Sequence, residues 1–167
     1  MNLAVIYLEY VKVGKIYTTH GLNGELKVKS NFDYKNNIYK NGFIFYFGKD
    51  KELFKLKNYR TQNQYDLLTF EALDDIDKVI KYRGVDLYIN REDIKVPGYL
   101  NTDLIGLDVF YKGKSIGKVT GIFDAGHGNF ILDIDGTFIP KNDNFIDKVD
   151  LKNKKMIVKN MEGLLWK

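Results

Sequence analysis

Val13-Gly14-Lys15-Ile16-Tyr17-Thr18-Thr19-His20-Gly21-Leu22-Asn23-Gly24-Glu25-Leu26-Lys27-Val28 reads as two β-rich runs around a compact loop. Glycine and asparagine tolerate positive φ, so Gly21, Asn23 and Gly24 allow a sharp reversal. Val11 and Val13 share one parity and Ile16 falls on the other. Gly14 lies between them, and an isolated glycine in a strand marks a bulge. On the returning run Leu26 and Val28 point one way, while Glu25, Lys27 and Lys29 point the other. His20, held between Thr19 and Gly21, is uncommon in a pure hairpin turn. Together with the outward lysines it points to a surface used for contact.

Working outward, Gly42 to Phe47 is an apolar run that ends in a turn at Gly48-Lys49-Asp50. Glu52 to Tyr59 alternates, with Leu53 apart in parity from Phe54 and Leu56. Tyr65 to Phe70 is a further strand, and the adjacent Leu67 and Leu68 imply burial on both faces. One short helix is expected after Asp74 or Asp75, either of which can cap it, with Asp77 in its first turn. Ile76, Val79, Ile80 and Arg83 follow helical spacing, and Gly84 suits the left-handed position beyond the last turn. Val85 to Ile89 then resumes as a strand.

Arg91 to Pro97 is polar and meets one of only two prolines, followed by Gly98. Such composition marks a linker, giving an expected division into residues 1–93 and 94–167. Beyond it, Leu104 to Phe110 reads as a strand interrupted by Gly106. Lys112-Gly113-Lys114 makes a turn, and Ile116 to Phe123 returns. A turn around Gly126-His127-Gly128 leads to Phe130–Ile134, and Asp135-Gly136 is a strong hairpin signal. Thr137 to Pro140 follows. Val149–Leu151 and Met156–Val158 form a last hairpin around Lys152-Asn153-Lys154. Regular short strands with turn signals suggest small barrels or sandwiches. Two small β domains fit better than one, and Trp166 is placed to staple the C-terminal segment.

Composition agrees. The chain has 167 residues, 12 Tyr and 11 Phe, and 44% hydrophobic residues; aromatic and β-branched residues favour pleated, half-buried surfaces. There is no cysteine, which excludes disulfides and thiolate metal sites. Met1 to Leu8 is apolar but lacks a basic leading region and a small-residue cleavage site. No run approaches the roughly 18 apolar residues of a membrane span, so a cytoplasmic, soluble protein without membrane contact is expected. The net charge of +4 permits a polyanionic partner without demanding one.

The chain resembles the RimM family of bacterial ribosome maturation factors over nearly its whole length, from about Tyr10 to Leu165. The resemblance rests on Val13-Gly14-Lys15-Ile16, Thr19-His20-Gly21-Leu22-Asn23-Gly24-Glu25, the Asp74-Asp75-Ile76-Asp77 helix start, Arg83-Gly84 and Leu87-Tyr88-Ile89. In the second half it rests on Asp103-Leu104-Ile105-Gly106-Leu107, Ile116-Gly117-Lys118-Val119, Ile139-Pro140, Val149-Asp150-Leu151 and Glu162-Gly163-Leu164-Leu165. The order and spacing of these segments are specific, though no one of them is. The resemblance implies a mostly β fold of two small barrels, the first like that of translation factors and the second a PRC barrel. It also implies a non-enzymatic assembly factor without cofactor. Such a factor binds the immature small (30S) subunit head, associates with ribosomal protein number nineteen and aids 16S rRNA processing. An assembly factor of this kind is expected to be a monomer.

The resemblance places a family aromatic pair, implicated in ribosomal-protein binding, at Tyr99-Leu100. One aromatic is missing here, so Leu100 supplies apolar contact but no phenol. Lys141 stands after Ile139-Pro140 where the family often has an apolar or aromatic residue. Gly126-His127-Gly128-Asn129 departs from the usual Asn-Asp pattern.

Several residues could carry function. Lys12, Lys15, Lys27 and Lys29 could form one basic face for phosphate contact, which positions RNA without reading its sequence; a solvated β face is the alternative. His20 could stack on a base or bond a phosphate, or it could hold the loop by bonding backbone. Tyr99, Leu100, Leu104 and Ile105 could anchor a protein partner, since buried aromatic anchors dominate such interfaces; packing between the two barrels is the other reading. Asp74, Asp75 and Asp77 superficially resemble a two-metal cluster, but metal chemistry needs carboxylates converging in a cleft, and a helix start explains them more simply. Two distant histidines without cysteine make a poor metal site. No nucleophilic triad or phosphate-binding glycine loop appears. Three functions follow: an assembly factor, a general RNA-binding module without a dedicated assembly role, and, a distant third, a metal-dependent RNA-processing enzyme.

Overall fold

The computed structural model describes residues 9–165. The expectations for Met1–Leu8 and for Trp166 fall outside that range. The protein is mostly β. It divides into two compact units, one ending at Val96 and the other starting at Pro97. Ile94 is buried, and the Lys95 carbonyl accepts a hydrogen bond from Asn37 Nδ2 at 3.3 Å, so both residues lie with the first unit.

The first unit is a closed barrel of β1 (Tyr10–His20), β2 (Glu25–Lys29), β3 (Ile44–Phe47), β4 (Glu52–Gln62), β5 (Tyr65–Phe70) and β6 (Asp86–Asn90). They pair in the order β1-β2-β5-β4-β3-β6 and close through β6 on β1. Closure removes the open edges that would otherwise invite aggregation. The Gly14 signal marks a real irregularity, because the β1–β6 register shifts between Lys12 and Gly14. The extra residue turns Ile16 inward beside Val11 and Val13, and all three are buried. Gly14 also packs tightly, with Lys29 O at 3.0 Å from a Cβ placed there.

The barrel interior is built on Phe45, Phe47 and Phe70 with Leu26, Val28, Leu56, Leu68, Leu87 and Ile89. Phe47 meets Phe70 edge to face at 4.9 Å and Tyr82 at 5.0 Å. Such pairs add about 0.5–1.5 kcal/mol to simple area burial.

Tyr82 comes from the short helical connection between β5 and β6. Here α2 (Ile76–Val79) runs directly into a 3-10 turn, Ile80–Tyr82. Asp75, not Asp74, is the cap: its carboxylate accepts the Asp77 N–H at 2.8 Å. The expected apolar face needs correction. Val79 and Tyr82 are buried while Ile80 is 47% exposed, because the tighter 3-10 turn advances the inward face by three residues rather than four. A four-residue helix, α1 (Lys35–Ile38), lies between β2 and β3. It has no side-chain cap and no sequence signal announced it.

The second unit carries β7 (Asp108–Tyr111), β8 (Lys114–Gly126), β9 (Asn129–Ile134), β10 (Thr137–Pro140), β11 (Ile146–Asp150) and β12 (Lys155–Val158). They form one sheet in the order β10-β9-β8-β7-β12-β11. The end strands β10 and β11 both feed one core, through Ile139 and through Ile146 and Val149, around Leu104, Leu107, Val109, Val119, Leu132, Ile134, Met156, Val158 and Met161. A sheet whose terminal strands share a core wraps around it. Asp135 and Gly136 both take positive φ, as the type I′ hairpin between β9 and β10 requires.

The expectation of a strand from Leu104 to Phe110 needs correction. Asn101–Leu104 is a 3-10 turn, and the strand starts only at Asp108. The turn is fixed at its start by the Asp103 carboxylate, which accepts the Leu100 N–H at 2.7 Å.

Candidate nucleic-acid and protein interfaces

The lysines of the first hairpin are sorted by strand register. Lys15 stands directly opposite Lys29, and Ile16 opposite Val28. Residues facing each other across a ladder share a face; since Ile16 and Val28 point into the barrel, Lys15 and Lys29 point out. Lys27 shares the outward parity of Lys29. Among the described residues neither Lys15 nor Lys29 has an ion-pair partner. Like charges set directly opposite each other are destabilising, so this pair is a cost to the isolated fold.

Lys12 differs. Its Nζ lies 3.1 Å from Asp86 Oδ1 on the other side of β1, so its charge is locally met. His20 ends β1 opposite Glu25, with Nε2 3.9 Å from Glu25 Oε1. The carboxylate is already engaged: Arg60 Nη2 donates to Oε1 at 2.7 Å and Nε to Oε2 at 3.0 Å. This two-pronged pair bridges β2 and β4 and leaves His20 half-buried beside it, with Arg60 the more exposed member of the group. The loop beyond His20 is pinned, because the Ile76 N–H donates to Leu22 O at 3.0 Å. The glycines supply its left-handed residues, Gly21 at φ +68° and Gly24 at φ +83°, whereas Asn23 is not left-handed.

Three residues on this face were not singled out in the sequence. Tyr17 is the extra residue where the β1–β2 register shifts between Ile16 and Thr18. Its ring lies 5.4 Å from that of Tyr65, and Lys27 Nζ sits 4.5 Å from the Tyr65 ring centroid. Arg60 is the third. Finding them required the β2–β5 and β4–β5 registers, which no local pattern supplies; the parity of Tyr17 beside buried Ile16 was the one available hint.

In the second unit the four residues expected to anchor a protein partner separate. Leu104 is fully buried in the core and Leu100 is buried as well, at 6% exposure. Neither offers its side chain as an exposed anchor, because the 3-10 turn aims Leu104 inward. Ile105, one residue on, is 48% exposed. Tyr99 is half-buried and packs against the core. Lys141 reaches it, with Nζ 5.4 Å from the Tyr99 ring and 5.8 Å from that of Phe130. The presented surface is therefore Tyr99 with Lys141, and Ile105.

Asp74, Asp75 and Asp77 do not converge. Asp74 accepts from Lys78 Nζ at 2.7 Å, which holds its carboxyl below the usual range, while Asp75 caps the helix. His127 occupies an exposed turn at φ +53°. Among the described residues no group of three or more histidine, cysteine or acidic side chains is arranged to hold a metal, and no helix is long and apolar enough to cross a membrane.

This two-part architecture has counterparts in known proteins. Residues 11–94 match the RimM N-terminal domain and residues 101–164 the RimM PRC barrel domain. The ribosome maturation factor RimM of Staphylococcus aureus is 36% identical, over 93% of this chain and 98% of its own length. That of Ligilactobacillus salivarius is 31% identical, over 94% of this chain and 99% of its own. That of an Exiguobacterium species is 27% identical over 95% and 98%. The matches run through the lysine hairpin, the capped helix and the Asp103–Leu107 turn alike, so the chain belongs to the RimM family.

Proposed function

We propose that this protein is a non-enzymatic ribosome assembly factor. It binds the immature small-subunit head in the cytoplasm, as a monomer, and assists head maturation and 16S rRNA processing. The observation that carries the reading is family membership spanning both units, with relatives named ribosome maturation factors. The outward Lys15–Lys29 pair supports rRNA contact by the first unit, because phosphates relieve a repulsion that the fold leaves unmet. Tyr99 and Ile105 support contact with ribosomal protein number nineteen by the second. The aspartates nearest to a metal cluster are spent on a helix cap and an ion pair, which supports action by binding.

For such a factor to drive maturation, it must hold the immature particle more tightly than the mature one; equal affinity shifts no equilibrium. Cosedimentation with immature and mature small subunits at matched salt tests this. Selective retention on immature particles is expected. Equal retention on both, or on unrelated RNA, would establish a general RNA-binding module instead.

A further inference from the structure

We propose that Tyr17 and Tyr65 form a stacking platform for unpaired bases of single-stranded RNA, with Lys15, Lys27 and Lys29 holding the adjacent phosphates. The inference deepens the rRNA-contact reading of this face and rests on it.

Tyr17 is 59% exposed. Most aromatic side chains of the first unit serve the interior or its rim, as Phe45, Phe47, Phe70 and Tyr82 do. A ring left this open adds little to the core. Its placement is specific, however, because the bulge that admits it re-aims one side chain out of the alternation. The ring then comes within 5.4 Å of Tyr65 at an interplanar angle of 31°, close enough to parallel for a planar base to lie across the pair. Among the described residues neither phenol has a hydrogen-bond partner that would explain the arrangement.

Charge selects the occupant. Of the carboxylates flanking this hairpin, Glu25 is held by Arg60. Asp86, opposite Lys15 on β6, has Lys12 Nζ at 3.1 Å but accepts no hydrogen bond at Oδ1 among the described residues. Lys27 Nζ lies 4.5 Å from the Tyr65 ring centroid, and Lys15 and Lys29, opposite each other in the β1–β2 ladder, share the outward parity of Lys27. Ring faces flanked by cations are the combination that binds single-stranded nucleic acid on small barrels, where every base offers a π face and the backbone a phosphate. An A-form duplex keeps its bases stacked within the helix and presents no face to an outward tyrosine. The expected RNA is thus a loop or a not-yet-paired segment.

The test uses the full chain with a labelled single-stranded oligoribonucleotide, the same sequence as a duplex, and polyglutamate, read by fluorescence anisotropy across a salt series. Single-stranded RNA is expected to bind more tightly than duplex. Tyr17→Ala should lose about ten-fold in affinity for the single strand, leave duplex binding unchanged and keep the wild-type salt slope. Tyr17→Phe should bind as wild type. Lys29→Ala should weaken both RNAs and reduce the slope by about one phosphate contact. Tyr17→Ala binding like wild type, with the lysine effect intact, would overturn the platform and leave rRNA contact standing. No binding of either RNA, or tighter binding of polyglutamate, would overturn both.

Discussion

Gly24 lies against the backbone of Leu73: a Cβ built on Gly24 would stand 1.9 Å from the Leu73 carbonyl oxygen. The end of the first hairpin loop is thus seated on the chain that leads into α2. Gly24→Ala cannot be accommodated by a rotamer change, because the obstacle is backbone, and φ is +83°. The left-handed conformation alone costs an alanine roughly 1–2 kcal/mol, and moving Leu73 adds to it. The variant should lose more than about 2 kcal/mol in chemical denaturation. Gly21→Ala, at φ +68° with nothing within 4 Å of the added carbon, should lose only the conformational part.

A second prediction concerns alkaline pH. Tyr82 is buried, and its hydroxyl donates to Glu52 Oε2 at 2.9 Å. Burial first, then the hydrogen bond and charge of Glu52, push its pKa up to about 12, against about 10 in an unfolded chain. Below about pH 10 the phenol is protonated in both states and its contribution is complete. Between about pH 10 and 12 the unfolded chain releases the proton and the native one retains it. Stability therefore falls as pH rises, by at most about 1.4 kcal/mol per unit for this group. Urea unfolding from pH 8 to 11.5 should show a shallower decline in Tyr82→Phe. Part of the slope should remain, since burial and Asp66 also raise Tyr39 far above the ordinary tyrosine value.

A third prediction concerns Asp66, whose carboxylate is 7% exposed and accepts from Lys35 Nζ at 2.7 Å and from the Tyr39 hydroxyl at 2.8 Å. These contacts tie β5 to α1 and its exit. Removing one member of a buried charged group strands its partners, at about 3 kcal/mol. Asp66→Ala should lose about that much in denaturant unfolding, Asp66→Asn less, and Tyr39→Phe about 1 kcal/mol, as for one hydrogen bond.

What the sequence disclosed followed the range of the physics involved. The Gly14 irregularity, the Asp75 cap, the left-handed Gly84 and the Asp135-Gly136 hairpin are set by neighbours within a few residues, and all are present. Ile80 was misplaced because apolar spacing alone does not distinguish three residues per turn from 3.6, and Leu104 because a short apolar run read as a strand opens in a 3-10 turn. The parallel pairing of β7 with β12 joins strands with four others between them in the chain and had no local signature. The same holds for the lysine face. Its outward parity was legible in Lys27 and Lys29, but the company of Tyr65 and Arg60 depends on β5 and β4 closing the barrel beside it.

The final prediction separates surface from core at adjacent residues. Leu104 and Ile105 are both apolar, yet one is wholly buried and the other 48% exposed. Leu104→Ala should cost about 2–5 kcal/mol of stability, as cavity-forming leucine truncations do. It should weaken partner binding only as far as it unfolds the second unit. Ile105→Ala should change stability by no more than about 0.5 kcal/mol. If this turn contacts ribosomal protein number nineteen, Ile105→Ala and Tyr99→Ala should each reduce affinity in a calorimetric titration by about ten-fold, in the range of interface anchors worth more than about 1 kcal/mol. Ile105→Ala should keep the native thermal midpoint, whereas Tyr99→Ala, whose ring packs against the core, should lower it modestly while leaving the unit folded. Wild-type affinity in both variants would remove the turn from the interface and move the search to other exposed apolar residues of this unit, beginning with Phe123 and Phe138, whose rings lie 6.2 Å apart.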